Sequence, residues 1–372
     1  MTSIAKPFYH ADHVGSLLRP PELLAARLQW KAGALAKDAL RKLEDDAIRD
    51  AVRLQEALGL NIITDGEFRR ENWWIDFIRQ IDGINISEPD QGAEFKTSHQ
   101  EGSGYVPLIV ETTGKVRFGG ALMEDDFTFL ANCTSKIPKV AIPSPTRIHF
   151  HSGRAKVSET AYPDMELFWA DIVAFYRQEI AALEDLGCRY IQIDDPVLTY
   201  FLDDRTRGNL KAIGEDPDQL IHTYADVLNR LIEKRKPDTQ ISMHLCRGNA
   251  QSAWIVAGGY MRLAEAIFPV VDVDTWFLEY DDERSGDFEP LGFMPDGKNV
   301  VLGLVTSKFG EMEEKDALKR RIDAAAEFIP KERLGLSPQC GFASLDIGNR
   351  VSMEDQRAKL ALVVETANEV WG

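Results

Sequence analysis

The stretch LEDLGCRYIQIDDP, residues 183–196, holds the change of period on which the fold turns. Leu183 closes an apolar stripe with Ile172, Phe175, Tyr176 and Ile180, spaced by three and four as on one face of a helix. Gly187 stops that helix, which Pro163 and Asp164 begin, so a helix is predicted over 164–187. Then YIQID runs without polar alternation into Asp194-Asp195-Pro196, as expected of a strand buried on both faces.

The same unit recurs in both directions. Strands are predicted at 11–16, 61–67, 139–145, 190–196, 240–246, 273–280, 299–308 and 334–341. A helix over 38–58 carries Leu40, Leu43, Ala47, Ala51, Leu54 and Leu58 on one stripe and meets Gly59. Another over roughly 216–235 ends at Pro237-Asp238. Eight strand–helix units in order predict an α/β fold, a (β/α)₈ TIM barrel using residues 1–372 as one unit. An open doubly wound sheet is the runner-up, but no glycine-rich turn follows an early strand. Residues 83–136 break the alternation and read as an inserted excursion after the second strand, on the face of the mouth. Within it VPLIVETTGKVRFGG (106–120) reads as a β-hairpin turning at Thr112–Gly114.

Composition narrows the function classes. The 372 residues carry 43 basic and 60 acidic side chains, a net charge of −17, which repels nucleic acid and anionic membranes. No run approaches the roughly 18 apolar residues needed to span a bilayer, and no apolar signal region opens the chain. A cytoplasmic protein is expected, with a homo-oligomer left open. Four cysteines are too few for a disulfide scaffold. Cys133 and Cys188 read as structural.

The chemistry gathers at strand ends. His244 and Cys246, two apart on the fifth strand, face the same way. Glu279 ends the sixth strand and Cys340 the eighth, 33 and 61 residues further along. Closing a barrel brings such ends to one mouth, where barrel enzymes keep their sites. Two thiolates, an imidazole and a carboxylate form a borderline-soft set suited to zinc. As a bland alternative, such residues are equally at home as small buried side chains.

The stretches HADHVGSLLRPPELL (10–24), ITDGEFRREN (63–72), YIQIDDPVL (190–198), SMHLCRGN (242–249), FLEYDDERSGDFEPL (277–291), VVLGLVTSK (300–308) and LSPQCGFAS (336–344) follow the order seen in cobalamin-independent methionine synthases. The chain resembles their catalytic C-terminal barrel, and its short single-barrel relatives, along about its whole length. The resemblance implies zinc on His244, Cys246, Glu279 and Cys340. It implies homocysteine held by Val14-Gly15-Ser16, Glu67 and Asp194. Gly15 lets backbone approach a carboxylate, Ser16 offers donors, and Glu67 and Asp194 can accept from an ammonium group. For Asp194-Asp195-Pro196 the alternative is a strand-ending turn, and for Glu67 a solvated loop carboxylate.

Zinc suits thiol alkylation because only a thiolate attacks carbon, and the ion lowers the thiol pKa. Two Cys and one Glu set −3 against +2, which favours alkyl transfer over hydrolysis. The implied activity is transfer of a methyl group to homocysteine, giving methionine. Where the family has a histidine proton donor after the seventh strand, this chain has Thr306-Ser307. Where the family stacks a tryptophan on the pterin, His151 aligns. Both departures open the donor to a folate, a sulfonium, a methyl-corrinoid protein or, in epoxyalkane:coenzyme M transferase fashion, an epoxide. A zinc- or amino-acid-binding barrel without catalysis is the non-enzymatic alternative.

Weaker signals remain. Arg69–Trp74 is a candidate for the donor side, or else a polar helix start before aromatic core. Asp281–Arg284 is a candidate source of a partner for Glu279, or a charged loop. Gly292–Asn299 reads as a turn rather than a phosphate loop, since it precedes a strand and lacks the Ser/Thr. His10 and His13 flank the end of the first strand and read as structural, with orientation of a site carboxylate by one of them as the alternative.

Overall fold

A computed structural model describes residues 6–88 and 108–372. The described residues form nine strands: β1 (Ile62–Ile63), β2 (Asp82–Ser87), β3 (Ile109–Arg117), β4 (Ile137–Pro143), β5 (Tyr190–Asp194), β6 (Gln240–Leu245), β7 (Thr275–Glu279), β8 (Asn299–Val305) and β9 (Leu334–Pro338). Seven of them form one curled parallel sheet in the order β1-β4-β5-β6-β7-β8-β9. Every residue of β5, β6, β7 and β9 is buried, which explains the uninterrupted apolar runs. Helices cover the outer face, and the fold is a (β/α)₈ TIM barrel.

The first expected strand is a correction. Residues 11–16 lie between β9 and β1, but they form a single bridge, Ala11 to Leu336, and not a ladder. Leu336 N–H donates to His10 O at 2.7 Å on one side, and Leu17 N–H donates to Gly66 O at 3.0 Å on the other. In between, side chains take over the backbone groups. Gln192 donates to Val14 O at 2.7 Å and Thr64 Oγ1 to Gly15 O at 2.7 Å, while His13 N–H donates to Asp12 at 2.7 Å. Gly15, at φ +139°, breaks the strand geometry outright. The segment therefore closes the barrel as an extended strap.

The helices begin where the caps predict. Asp164 accepts from Glu166 N–H at the start of Met165–Asp185, and Asp216 accepts from Asp218 and Gln219 N–H before Pro217–Ile232. In Lys37–Ala57 the stripe differs from expectation: Leu43 is exposed, while Glu44 and Gln55 are buried. Arg27 holds Glu44, and Gln55 bonds both backbone groups of Thr64. Polar side chains sit inside because each has its partner there.

The excursion is an antiparallel pair, β2 with β3. No turn occurs at Thr112–Gly114. Thr112 pairs with Ile84 within a continuous β3, because β-branched threonines resist the positive φ of a tight turn. The described part of the excursion packs against the Met165–Asp185 helix, where Phe118 meets Phe175 edge-on, and just ahead of that helix Tyr162 Oη accepts from Val116 N–H. None of its described residues lines the central cavity. Among the described residues no helix is long and apolar enough to cross a membrane.

Candidate active site

A cavity opens at the C-terminal ends of the strands. Val14, Ser16, Glu67, Asp194, His244, Cys246 and Cys340 line its floor, and Trp73, Trp74, Arg147, Tyr200 and Trp254 are among its walls. Seven residues singled out in the sequence thus meet in one space.

Three of the metal candidates are neighbours. The ligand atoms of His244, Cys246 and Cys340 all lie within 4.8 Å of one another, and all three residues are buried. Donors on one zinc ion stand roughly 3.3–3.8 Å apart at ordinary bond lengths, so the trio is close to that spacing. Both ring nitrogens of His244 are buried with no hydrogen-bond partner, unusual for a histidine with only a structural task. The adjacent Cys246 thiol and the His244 imidazole hold Cys340 well below the ordinary thiol range, and Cys246 is correspondingly pushed up. The donor set therefore fits a soft cation such as zinc.

Glu279 stands apart from that trio. Its Oε2 accepts from Arg247 N–H at 2.7 Å and from Gln339 Nε2 at 3.2 Å. Its Oε1 lies 3.2 Å from Arg284 and 3.7 Å from Lys308 Nζ. Burial opposes its charge, but Lys308, Arg247 and Arg284 outweigh that and hold its pKa below the usual carboxylate range. Arg284, in the charged run 281–284, is thus a direct partner of Glu279.

The strap and β5 build a further part of the cavity. A side chain at Gly341 would place its Cβ 1.9 Å from Ser16 Oγ, so the residue after Cys340 has to be glycine for Ser16 to reach the cavity. Asp194 is the register partner of His244, and its Oδ1 accepts from Gln192 at 2.8 Å. Burial pushes Asp194 up to about 6. Glu67 adopts a left-handed backbone, φ +59°, which turns its carboxyl inward and leaves Oε2 without a hydrogen bond. Burial pushes it up to about 7, although Arg70 opposes the shift from 3.7 Å. Asp195 points away and bonds Ser144 and Thr146 while capping Leu198, the turn-forming task expected of that pair.

Thr306 is not a cavity residue. Its N–H donates to Glu313 at 2.7 Å and its hydroxyl accepts from Lys308 N–H at 3.2 Å. His151 lies outside the lining too, beside Arg147 at 2.5 Å, and Arg147 stacks 4.3 Å over Trp74. From the tract 69–74, Asn72, Trp73 and Trp74 line the cavity, whereas Arg69 turns away to Asp45 and Asp126. His10 stacks on Trp371 at 4.8 Å, a packing role. Lys308, Gln339, Asn249 and Arg147 escaped the sequence reading. A lysine following Thr306-Ser307 at a strand end was the available signal.

A parallel barrel thus carries a cluster of soft donors and two carboxyls together at its mouth. The chain belongs to the family described as "Cobalamin-independent synthase, Catalytic domain", whose profile matches residues 10–369. It is 43% identical over 369 residues to the uncharacterized protein YxjG of Bacillus subtilis, covering 98% of this chain and 96% of that one. It is 25% identical over 341 residues to a Pyrococcus abyssi methionine synthase, covering 91% and 88% of the two chains. A crystal structure of a putative vitamin-B12 independent methionine synthase from Listeria monocytogenes superimposes with a TM-score of 0.78 at 34% identity, covering 99% of both chains.

Proposed function

We propose that residues 1–372 act as one barrel unit, with 83–136 inserted, and catalyse methyl transfer to the sulfur of homocysteine with the help of zinc, giving methionine. The observation that carries this reading is the placement of the His244–Cys246–Cys340 trio in one cavity with Glu67, Asp194 and the Ser16 strap. His244, Cys246 and Cys340 would hold the ion, with Glu279 as the further candidate ligand. Bound there, zinc supplies a lowered thiol pKa and a fixed lone pair.

The chain's own groups do the rest. Asp194 and Glu67 face the substrate ammonium, and the Val14-Gly15-Ser16 backbone faces its carboxylate, so the thiol is directed at the trio. Trp73, Trp74 and Trp254 among the walls give the thiolate an apolar surround that would limit competing water. Thr306 occupies the proton donor's place in the chain, but its hydroxyl is engaged with Lys308 N–H and is too weak an acid for the task. The donor is therefore read as one that leaves without a proton, such as a sulfonium or a methyl-corrinoid.

The test presents purified zinc-loaded protein with homocysteine and a panel of donors, with products read by mass spectrometry. Methionine from at least one donor is expected. If no donor gives methionine and homocysteine does not bind, a barrel that only binds zinc or an amino acid takes the proposal's place.

A further inference from the structure

The end of β8 carries a cation that the proposed reaction does not use. Lys308 is 1% exposed, its Nζ has no hydrogen-bond partner, and Glu279 Oε1 lies 3.7 Å away. A buried ammonium is costly unless something compensates its charge, and an apolar side chain of similar size would serve packing better. Among the described residues Glu279 is the carboxylate within ion-pair range of it.

The backbone around Lys308 is pinned. Ser252 Oγ donates to Lys308 O at 2.6 Å, and Asn349 donates to Ser307 O at 2.8 Å. The neighbouring Ser307 Oγ donates to Gln339 Oε1 at 2.8 Å, and Gln339 Nε2 in turn donates to Glu279 Oε2 at 3.2 Å. Residues 307–308 thus act on both oxygens of one carboxylate. The other cations are differently engaged. Arg284 is shared with Asp281 and Asp282 at 3.2 and 2.9 Å, and the Arg247 guanidinium is taken by the carbonyls of Gly258 and Glu279.

We infer that Lys308 is a positioning residue for Glu279, holding its carboxylate back from His244, Cys246 and Cys340 and so setting how strongly it competes for the metal. This deepens the proposed zinc site and rests on it. In formal charge, two thiolates and Glu279 against zinc leave −1, and Lys308 brings the enclosed group to neutrality. With Glu279 restrained, the fourth place on the ion stays available to a substrate thiol. The stretch where the resemblance implies a proton donor is used here to govern a ligand.

The test is a double-mutant cycle read by zinc affinity, with competition against a chromophoric chelator. It compares the wild type, Lys308→Met, Glu279→Gln and the double variant. Lys308→Met is expected to bind zinc roughly tenfold or more tightly, the scale on which groups behind the ligands tune affinity. In the Glu279→Gln background the same substitution should change nothing. Visible spectra of the cobalt(II)-loaded proteins should shift in Lys308→Met and not in Lys308→Arg, which keeps the cation. Lys308→Gln repeats the measurement should the methionine variant fail to fold.

Unchanged or weaker zinc binding in a folded neutral variant overturns the inference, as does equal tightening in Lys308→Arg. A wild type that binds no zinc overturns the proposed function as well, so the two failures are told apart.

Discussion

Asp194 on β5 and His244 on β6 are register partners on adjacent parallel strands. In the proposed function, a carboxyl that would meet the substrate ammonium therefore stands beside an imidazole that would meet the metal, and one small amino thiol would span both. This adjacency makes the two halves of the site separable by mutation.

Zinc content tests the metal half. Cys246→Ser and Cys340→Ser each remove a thiolate from the trio that converges within 4.8 Å. Wild type purified without chelator should hold close to one zinc per chain, and each variant should lose most of it by elemental analysis. Full occupancy in both variants would show that these sulfurs are not ligands.

Asp194→Asn tests the amino-acid half. It keeps the shape and the contact with Gln192 but removes the charge proposed to face the substrate. A charge-assisted hydrogen bond contributes roughly 1.5–3 kcal/mol, so homocysteine affinity should fall by an order of magnitude or more. Zinc content should stay the same. Unaltered calorimetric binding of the thiol would return Asp194 to the role of a turn residue.

Glu67 makes a prediction about stability. Burial raises its pKa in the folded protein to about 7, from an ordinary value near 4.5. Between those values the folded state holds a proton that the unfolded state has lost, so stability falls as pH rises through that window. Above pH 7 the penalty is complete and on the order of 3 kcal/mol. Glu67→Gln should accordingly melt higher than wild type at pH 8 and about equally at pH 4. Equal melting at both pH values would mean that Glu67 carries no such penalty. Glu67 Oε2, which accepts no hydrogen bond, is then stability given up for the proposed substrate binding.

The donor prediction follows from the groups that could replace the missing acid. Asp12 is tied to Lys139 at 2.8 Å and Tyr190 at 2.9 Å. Burial pushes His13 down to about 4, and burial together with Arg147 pushes His151 well below its ordinary range. Neither histidine carries a proton to give at neutral pH. Methyl transfer from a tetrahydrofolate needs such a proton, whereas a sulfonium leaves as a neutral thioether. 5-Methyltetrahydrofolate should therefore give slower methionine formation than an activated donor under identical conditions. Folate turnover equal to or above every activated donor would refute this and point to Glu67 as the acid.

The alternation of strands and helices was readable along the chain, because periodicity, caps and stop glycines are local properties. His244-Leu-Cys246 was readable for the same reason, since alternation along one strand puts both donors on one face. Cys340 became legible as their companion once closure of a barrel was assumed. The strap at 11–16 was misread as a strand because its backbone groups are claimed by Gln192, Thr64 and Asp12, two of them distant in sequence. Thr112–Gly114 looked like a turn because the pattern alone does not tell a turn from a strand whose partner, Asp82–Ser87, lies before it. Lys308 and its hold on Glu279 were invisible until folding, for a lysine at a strand end is ordinarily solvated. Its significance comes from burial beside a carboxylate 29 residues earlier in the chain, a contact that exists only when β7 and β8 lie side by side.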